Sequence, residues 1–204
     1  MHLIDAVPRL VDEARRRSEV SSNPIRTCQV GDARDLPFDD GMADGVLLLG
    51  PLYHLTDMAQ RLGALREVYR VLRPGGVLFA AAISRYASAL DGIARDLLAD
   101  PCFTAIVQQD LEQGQHRNET GKWDYFTTAY FHRPEELQAE VVSAGFTSQG
   151  VFGLEGPGWI LSDFDQRWAE PRKREDLLRI ARALEKEPSI VGLSAHLLAV
   201  GTKQ

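Results

Sequence analysis

The sequence predicts an α/β domain, doubly wound about a mostly parallel sheet. Three observations carry this expectation. Short apolar runs alternate along the chain with stretches whose apolar residues recur at helical spacing. One run, Gly45-Val46-Leu47-Leu48-Leu49, is apolar throughout, as a strand covered on both faces should be. Turn residues punctuate the boundaries, most clearly at Gly31-Asp32 and Pro74-Gly75-Gly76.

The elements follow in order. His2-Leu3-Ile4-Asp5 reads as a strand, and Pro8 suits the first position of a helix. Leu10, Val11 and Ala14 give that helix an apolar side, and Arg15 to Arg17 suit its C-terminal end as a solvated face. Ile25 to Val30 and Gly45 to Leu49 are the next strands. Leu62, Leu65, Val68, Tyr69 and Leu72 mark a helix that Pro74-Gly75-Gly76 stops, and Val77 to Ile83 returns as a strand. Ser84 to Phe131 breaks the rhythm, with helices around 86–99 and 103–113 and a polar loop through 116–123. Pro134 to Ala144 is a helix with acids in its first turn and Gly145 just past its end. Phe146 to Leu154 and His196 to Gly201 are two further strands, separated by Gly156-Pro157-Gly158 and a charged helix near 171–186. The reading is one domain over 1–204, with a helical insertion at about 84–131 and a second at about 155–190.

Bulk properties narrow the function. With 204 residues the chain can bury a sizeable core. A net charge of −6 argues against a nucleic-acid partner, which calls for a basic stripe. No apolar stretch is long enough to span a membrane. Cys28 and Cys102 stand far apart in no metal-ligand spacing, and His116, His132 and His196 form none either, so no metal is expected. A reducing, cytoplasmic location is the expectation. His196, within an apolar run, reads as a core histidine. His132, after Tyr130 and Phe131, is a candidate for lining a pocket.

Four segments carry a more specific signal: His2 to Pro8, Val30-Gly31-Asp32-Ala33-Arg34-Asp35-Leu36-Pro37-Phe38, Ala43 to Gly50, and Leu72-Arg73-Pro74-Gly75-Gly76-Val77-Leu78. In order and spacing they resemble the class I S-adenosylmethionine-dependent methyltransferases of small molecules, over nearly the whole chain. The resemblance implies a Rossmann-like fold and S-adenosyl-L-methionine as cofactor. It implies cofactor contacts at Asp5, Ala6, Gly31, Asp32, Ala33, Leu49 and His54. There Asp5 accepts from the ribose hydroxyls and Asp32 from the adenine amino group. Asp35, Asp39 and Asp40 read as solvated loop acids. The acceptor, a small molecule, is expected among Tyr53, His54, Tyr130 and Trp159, under a lid formed by the first insertion. Methyl transfer to a nucleophile needs mostly positioning and a dry site, so no residue is named as catalytic.

One departure from the family pattern stands out. It begins with a strand, a Gly-x-Gly-x-Gly loop and a helix, which this sequence lacks. Either the recorded start lies inside a longer gene, as Met1 at a strand position suggests, or the short form is real. Weak cofactor binding and marginal stability are expected of the short form. A non-catalytic, methyltransferase-like protein is the alternative function. A nicotinamide-dependent oxidoreductase is disfavoured, for want of a Gly-x-Gly-x-x-Gly motif and a proton-donor pair. The oligomeric state is open.

Overall fold

The computed structural model describes residues 1–204. Its eight strands fall into two sheets. The first holds β1 (His2–Asp5) and β2 (Thr27–Val30), parallel and in register from His2↔Thr27 to Asp5↔Val30. Helix α1 (Pro8–Glu19) connects them, with Pro8 in its first turn. Arg15 pairs with Asp12, while Arg16 and Arg17 pair with Glu13, all at the surface, where such pairs contribute little.

The second sheet is built on β4 (Leu72–Ser84), the longest strand. Strand β3 (Ala43–Leu49) runs parallel to it from Gly45↔Val77 to Leu49↔Ala81. Beyond the end of β3, the short β6 (Ala129–His132) takes up the pairing, also parallel, at Ile83↔Phe131 and Ser84↔His132. The other pairings are antiparallel: β8 (His196–Thr202) with β4, β7 (Thr147–Gly153) with β8, and β5 (Gln115–His116) with β6. The α/β class holds, and the sheet is mixed. Antiparallel neighbours need no crossover of fixed hand, whereas parallel pairing requires one. The sequence's apolar periodicity does not record that choice.

Helices α2 (Pro51–His54) and α3 (Met58–Val71) lead from β3 to β4. Asp57 caps α3 by accepting from the Gln60 amide. Between α3 and the body of β4, the Pro74-Gly75-Gly76 turn is fastened to the chain's last strand. The Gly75 amide donates to the Lys203 carbonyl and the Lys203 amide to Gly76. Gly75 has φ +77°, a left-handed conformation that suits glycine.

After β4 come α4 (Ala87–Ala94) and α5 (Pro101–Gln113), then β5, an exposed loop and β6, so the irregular stretch ends as a sheet strand. Helix α6 (Pro134–Ser143) covers the β7–β8 side, and α7 (Phe164–Ala169) and α8 (Pro171–Leu184) form an outer layer. The main core joins Leu48, Leu52, Leu65, Leu78, Leu137 and Leu197. Each fully buried leucine contributes on the order of 1.5–3 kcal/mol. No backbone ladder joins β1 or β2 to the larger sheet. The two are tied by the loop after β2: Arg70 of α3 donates to the carbonyls of Leu36 (2.9 Å) and Phe38 (2.7 Å), and Glu67 accepts from the Leu36 amide (3.0 Å). No helix is long and apolar enough to cross a membrane.

Candidate functional site

The C-terminal ends of parallel strands gather the polar residues. Asp5 and Val30 are paired at the ends of β1 and β2, and the Gly31 amide donates to the Asp5 carbonyl (3.1 Å). Asp5 and Asp32 therefore leave adjacent strands at the same end of the sheet, where α/β folds bind ligands. One Asp5 oxygen accepts from the Val7 amide (2.7 Å), which orients the carboxylate and leaves its second oxygen free. Gly31 has no room for a side chain, because a Cβ there would lie 2.9 Å from the Ile4 side chain.

Asp32 is differently placed. Its carboxylate accepts from the Arg34 amide (2.8 Å) and from the Arg34 guanidinium, with a shortest contact of 2.5 Å. The Arg34 hydrogen bonds hold its pKa below the ordinary value. Both oxygens are engaged by its own turn. Asp40, one of the loop acids, is largely exposed and pairs with Arg70.

Leu49 ends β3 and is exposed together with Leu47, while Leu48 between them is buried. Gly50 follows with φ +146°, a conformation costly for any other residue, and turns the chain into α2. The turn brings the Tyr53 and His54 rings together, with centroids 4.7 Å apart. Tyr53 packs against Ile83, Ala87, Ala129 and Phe131, and its burial raises the phenol pKa. The same packing sets α2 beside β6, the strand that carries Tyr130. Trp159 lies in a 3-10 turn packed on α8, its indole Nε1 donating to the Leu193 carbonyl (2.8 Å). Its hydrogen bond serves the outer layer, and no ring contact joins it to Tyr53, His54 or Tyr130.

Behind Tyr130 lies a charged network that the sequence reading missed. Arg61 is 2% exposed and forks onto Glu140 with contacts of 2.6 and 3.0 Å. Its Nη1 donates to the carbonyls of Leu55 (3.0 Å) and Thr56 (3.1 Å), fixing the segment that follows His54. The guanidinium carbon sits 3.7 Å from the centre of the Tyr130 ring. Arg85, equally buried, donates to the Phe131 carbonyl and to Glu136, which also faces the Tyr130 hydroxyl. The signal for the central pair was present. Arg61 falls in helical register with the apolar stripe at Leu65, Val68 and Leu72, and Glu140 in register with Leu137 and Val141.

Two histidine expectations are corrected here. His132 does not line an open pocket: it is fully buried, with Nε2 3.3 Å from Glu140. Its Nδ1 has no partner, which fits a neutral ring carrying its proton towards Glu140. His196 is not a core residue. Its side chain is half-exposed and contacts Glu155 at 2.5 Å, and that hydrogen bond raises its pKa.

The buried pair predicts acid lability. Burial lowers the His132 pKa, so the unfolded chain takes up a proton on acidification before the folded one does. Burial alone would raise the Glu140 pKa, but the hydrogen bonds from His132 and Arg61 outweigh it and hold it low. Both depressed groups stabilise the fold above their unfolded values. Those contributions are lost as pH falls below about 6.5 for His132 and about 4.5 for Glu140. His196, raised, acts in the opposite sense. Urea midpoints measured from pH 7 to pH 5 should fall more steeply in the wild type than in His132→Gln. Equal slopes would contradict the assignment of a neutral buried His132.

The chain is similar to known proteins in part of its sequence and in its fold. Residues 1–80 match the family model described as a methyltransferase domain. The demethylmenaquinone methyltransferase of Symbiobacterium thermophilum is 36% identical over 76 residues, covering 36% of this chain and 28% of that protein. The ubiquinone/menaquinone biosynthesis C-methyltransferase UbiE of Neisseria meningitidis is 30% identical over 128 residues, covering 61% of this chain and 47% of its own length. The chain thus spans less than half the length of these curated relatives. Among solved structures, a SAM-dependent methyltransferase from Methanosarcina mazei superposes with TM-score 0.61 at 14% identity, covering 99% of this chain and 81% of its own. One from Mesorhizobium loti gives 0.60 at 15% identity, covering 99% and 79%.

Proposed function

We propose that this chain, whose residues 1–80 match a methyltransferase-domain model and whose fold is that of solved S-adenosylmethionine-dependent methyltransferases, transfers a methyl group from that cofactor to a small-molecule acceptor. The observation that carries this reading is the pairing of Asp5 with Val30. It sets a free carboxylate oxygen and the Gly31-Asp32-Ala33 turn at one end of two parallel strands. Such an end suits a ribose held by Asp5, with the amides around Ala6 and Ala33 close by. Leu49 offers an apolar surface next to the methionine side. The cofactor supplies an electrophilic methyl group on a positively charged sulfur.

The chain's own residues bind and orient. Asp5 is an acceptor for two vicinal hydroxyls. Gly31 keeps the turn tight against Ile4, where a side chain would collide. Tyr53 and His54, at the turn after β3, border the acceptor, with Tyr130 on the adjoining strand. Trp159, on the outer layer, contributes only if that layer closes over the acceptor. Transfer then depends on excluding water and holding the nucleophile in line. His54, exposed beside Tyr53, is an imidazole able to take a proton if the acceptor must lose one.

The test is calorimetric titration with S-adenosylhomocysteine. Asp5→Ala should weaken binding by about 1–3 kcal/mol, the cost of leaving polar partners unsatisfied. Asp32→Ala should cost less, because its carboxylate is already engaged by Arg34. Unchanged affinity in Asp5→Ala would falsify the assignment of this end of the sheet. Absence of binding in the wild type would favour the second reading, a methyltransferase-like protein without catalysis. The specific observation behind that reading is the missing ladder between β1 and β3.

A further inference from the structure

The reading above leaves the acceptor's chemistry open, and Arg117 bears on it. The residue follows β5, whose Gln115 is paired opposite Tyr130 on β6, so the two side chains share a face. The Gln115 Nε2 donates to the Thr56 carbonyl (3.1 Å), the same oxygen that Arg61 contacts. Arg117 Nη2 in turn donates to Gln115 Oε1 (2.5 Å). A chain of two hydrogen bonds therefore carries this guanidinium to the segment that follows Tyr53 and His54.

The two guanidiniums at the Tyr130 ring are both matched by acids: Arg61 by Glu140 and Arg85 by Glu136. Arg117 forms no ion pair. Its Nη1 is buried and has no hydrogen-bond partner, although the residue keeps part of its surface open. Covered donors on a charged group are costly to leave unmade. The chain has 29 acidic residues against 23 basic ones, so carboxylates are plentiful, yet none faces this fork. The structure thus pairs two neighbouring arginines and leaves Arg117, partly exposed, without a counter-ion.

We propose that Arg117 is a specificity residue that receives a carboxylate of the acceptor, so that the acceptor is a small organic acid. This rests on the methyltransferase reading only for the identity of the ligand as acceptor. The planar fork suits a carboxylate, and Gln115 holds one of its arms.

Benzoate and its neutral counterpart benzamide are suitable probes. Each is titrated into the full chain and followed by NMR, with Arg117→Gln and Arg117→Lys in parallel. Benzoate should bind at least ten-fold more tightly than benzamide. Arg117→Gln should erase that preference and Arg117→Lys should keep part of it. The Arg117 Nε–H resonance of the wild type should shift with benzoate and not with benzamide, a reading that stands even if a variant fails to fold. Equal binding of the two probes, or a preference that survives Arg117→Gln, overturns the proposal. S-adenosylhomocysteine is titrated separately. If it fails to bind, the methyltransferase reading fails, and the benzoate result still decides whether Arg117 receives an acid.

Discussion

Arg61→Ala should lower the stability of the fold by about 3–5 kcal/mol, the cost of stranding a buried charge. The substitution leaves Glu140, almost fully enclosed, without its main partner. It also frees the Leu55 carbonyl, leaves the Thr56 carbonyl only its bond from Gln115, and removes the cation over Tyr130. For a chain of this size the melting temperature should fall by roughly 10 °C. Replacing both partners, as Arg61→Met with Glu140→Leu, should cost less than Arg61→Ala, since no charge is then left without a counter-ion. Urea unfolding of the three proteins decides the point. If the double variant is the least stable, the loss comes from packing rather than from the unmatched carboxylate.

The second large effect is expected at Gly114. It ends α5 with φ +72°, and its amide and carbonyl bond to Asp110 and Phe131. A Cβ there would sit 2.5 Å from the Phe131 carbonyl oxygen and 2.6 Å from the Arg85 guanidinium. Gly114→Ala should therefore cost about 1–2 kcal/mol for the left-handed backbone. Displacing a backbone carbonyl and a buried ion pair adds about 1–3 kcal/mol more. Thermal unfolding measures the sum. Gly121, also left-handed at φ +73° but with open space around it, is the control. Gly121→Ala should lose only the backbone part. Equal losses at the two positions would show that crowding against Phe131 contributes nothing.

Much of the fold was legible because apolar period and turn chemistry act locally. The strands at His2–Asp5, 43–49, 147–153 and 196–202 and the helices beginning at Pro8, Pro134 and Pro171 lie close to where periodicity put them. Strand β6 was missed. It is short, follows a polar loop, and is a strand only because β4 extends past the end of β3 and offers it an edge. Its identity lies in a tertiary pairing, not in its own residues. The antiparallel course of β7 and β8 escaped for a similar reason.

The site divides the same way. Asp5, Gly31 and Gly50 stand at strand ends, so their positions follow from the strand assignments. The partnership of Asp32 with Arg34 was also close at hand in the sequence, two residues apart. Arg61 and Glu140 lie 79 residues apart, and each looks merely misplaced on its own helix. Only together do two charges in two apolar stripes make a matched pair. Arg117 carries no local signal at all, because what marks it is a partner that is absent.

The seam between the two sheets bears on how the molecule opens. Inside the larger sheet a rupture must break a ladder of backbone hydrogen bonds and expose the leucine core. At the seam the ties described are side-chain contacts of Arg70 and Glu67 with the loop after β2. Local unfolding follows the weakest boundary, so β1, α1 and β2 form the unit that detaches first. Asp5 and Asp32 both belong to that unit. A ligand bound there is held by a part of the chain with its own opening equilibrium, and ordering that part is a cost deducted from every binding event. Contacts that bridge the seam, rather than contacts to either side alone, would then set the affinity.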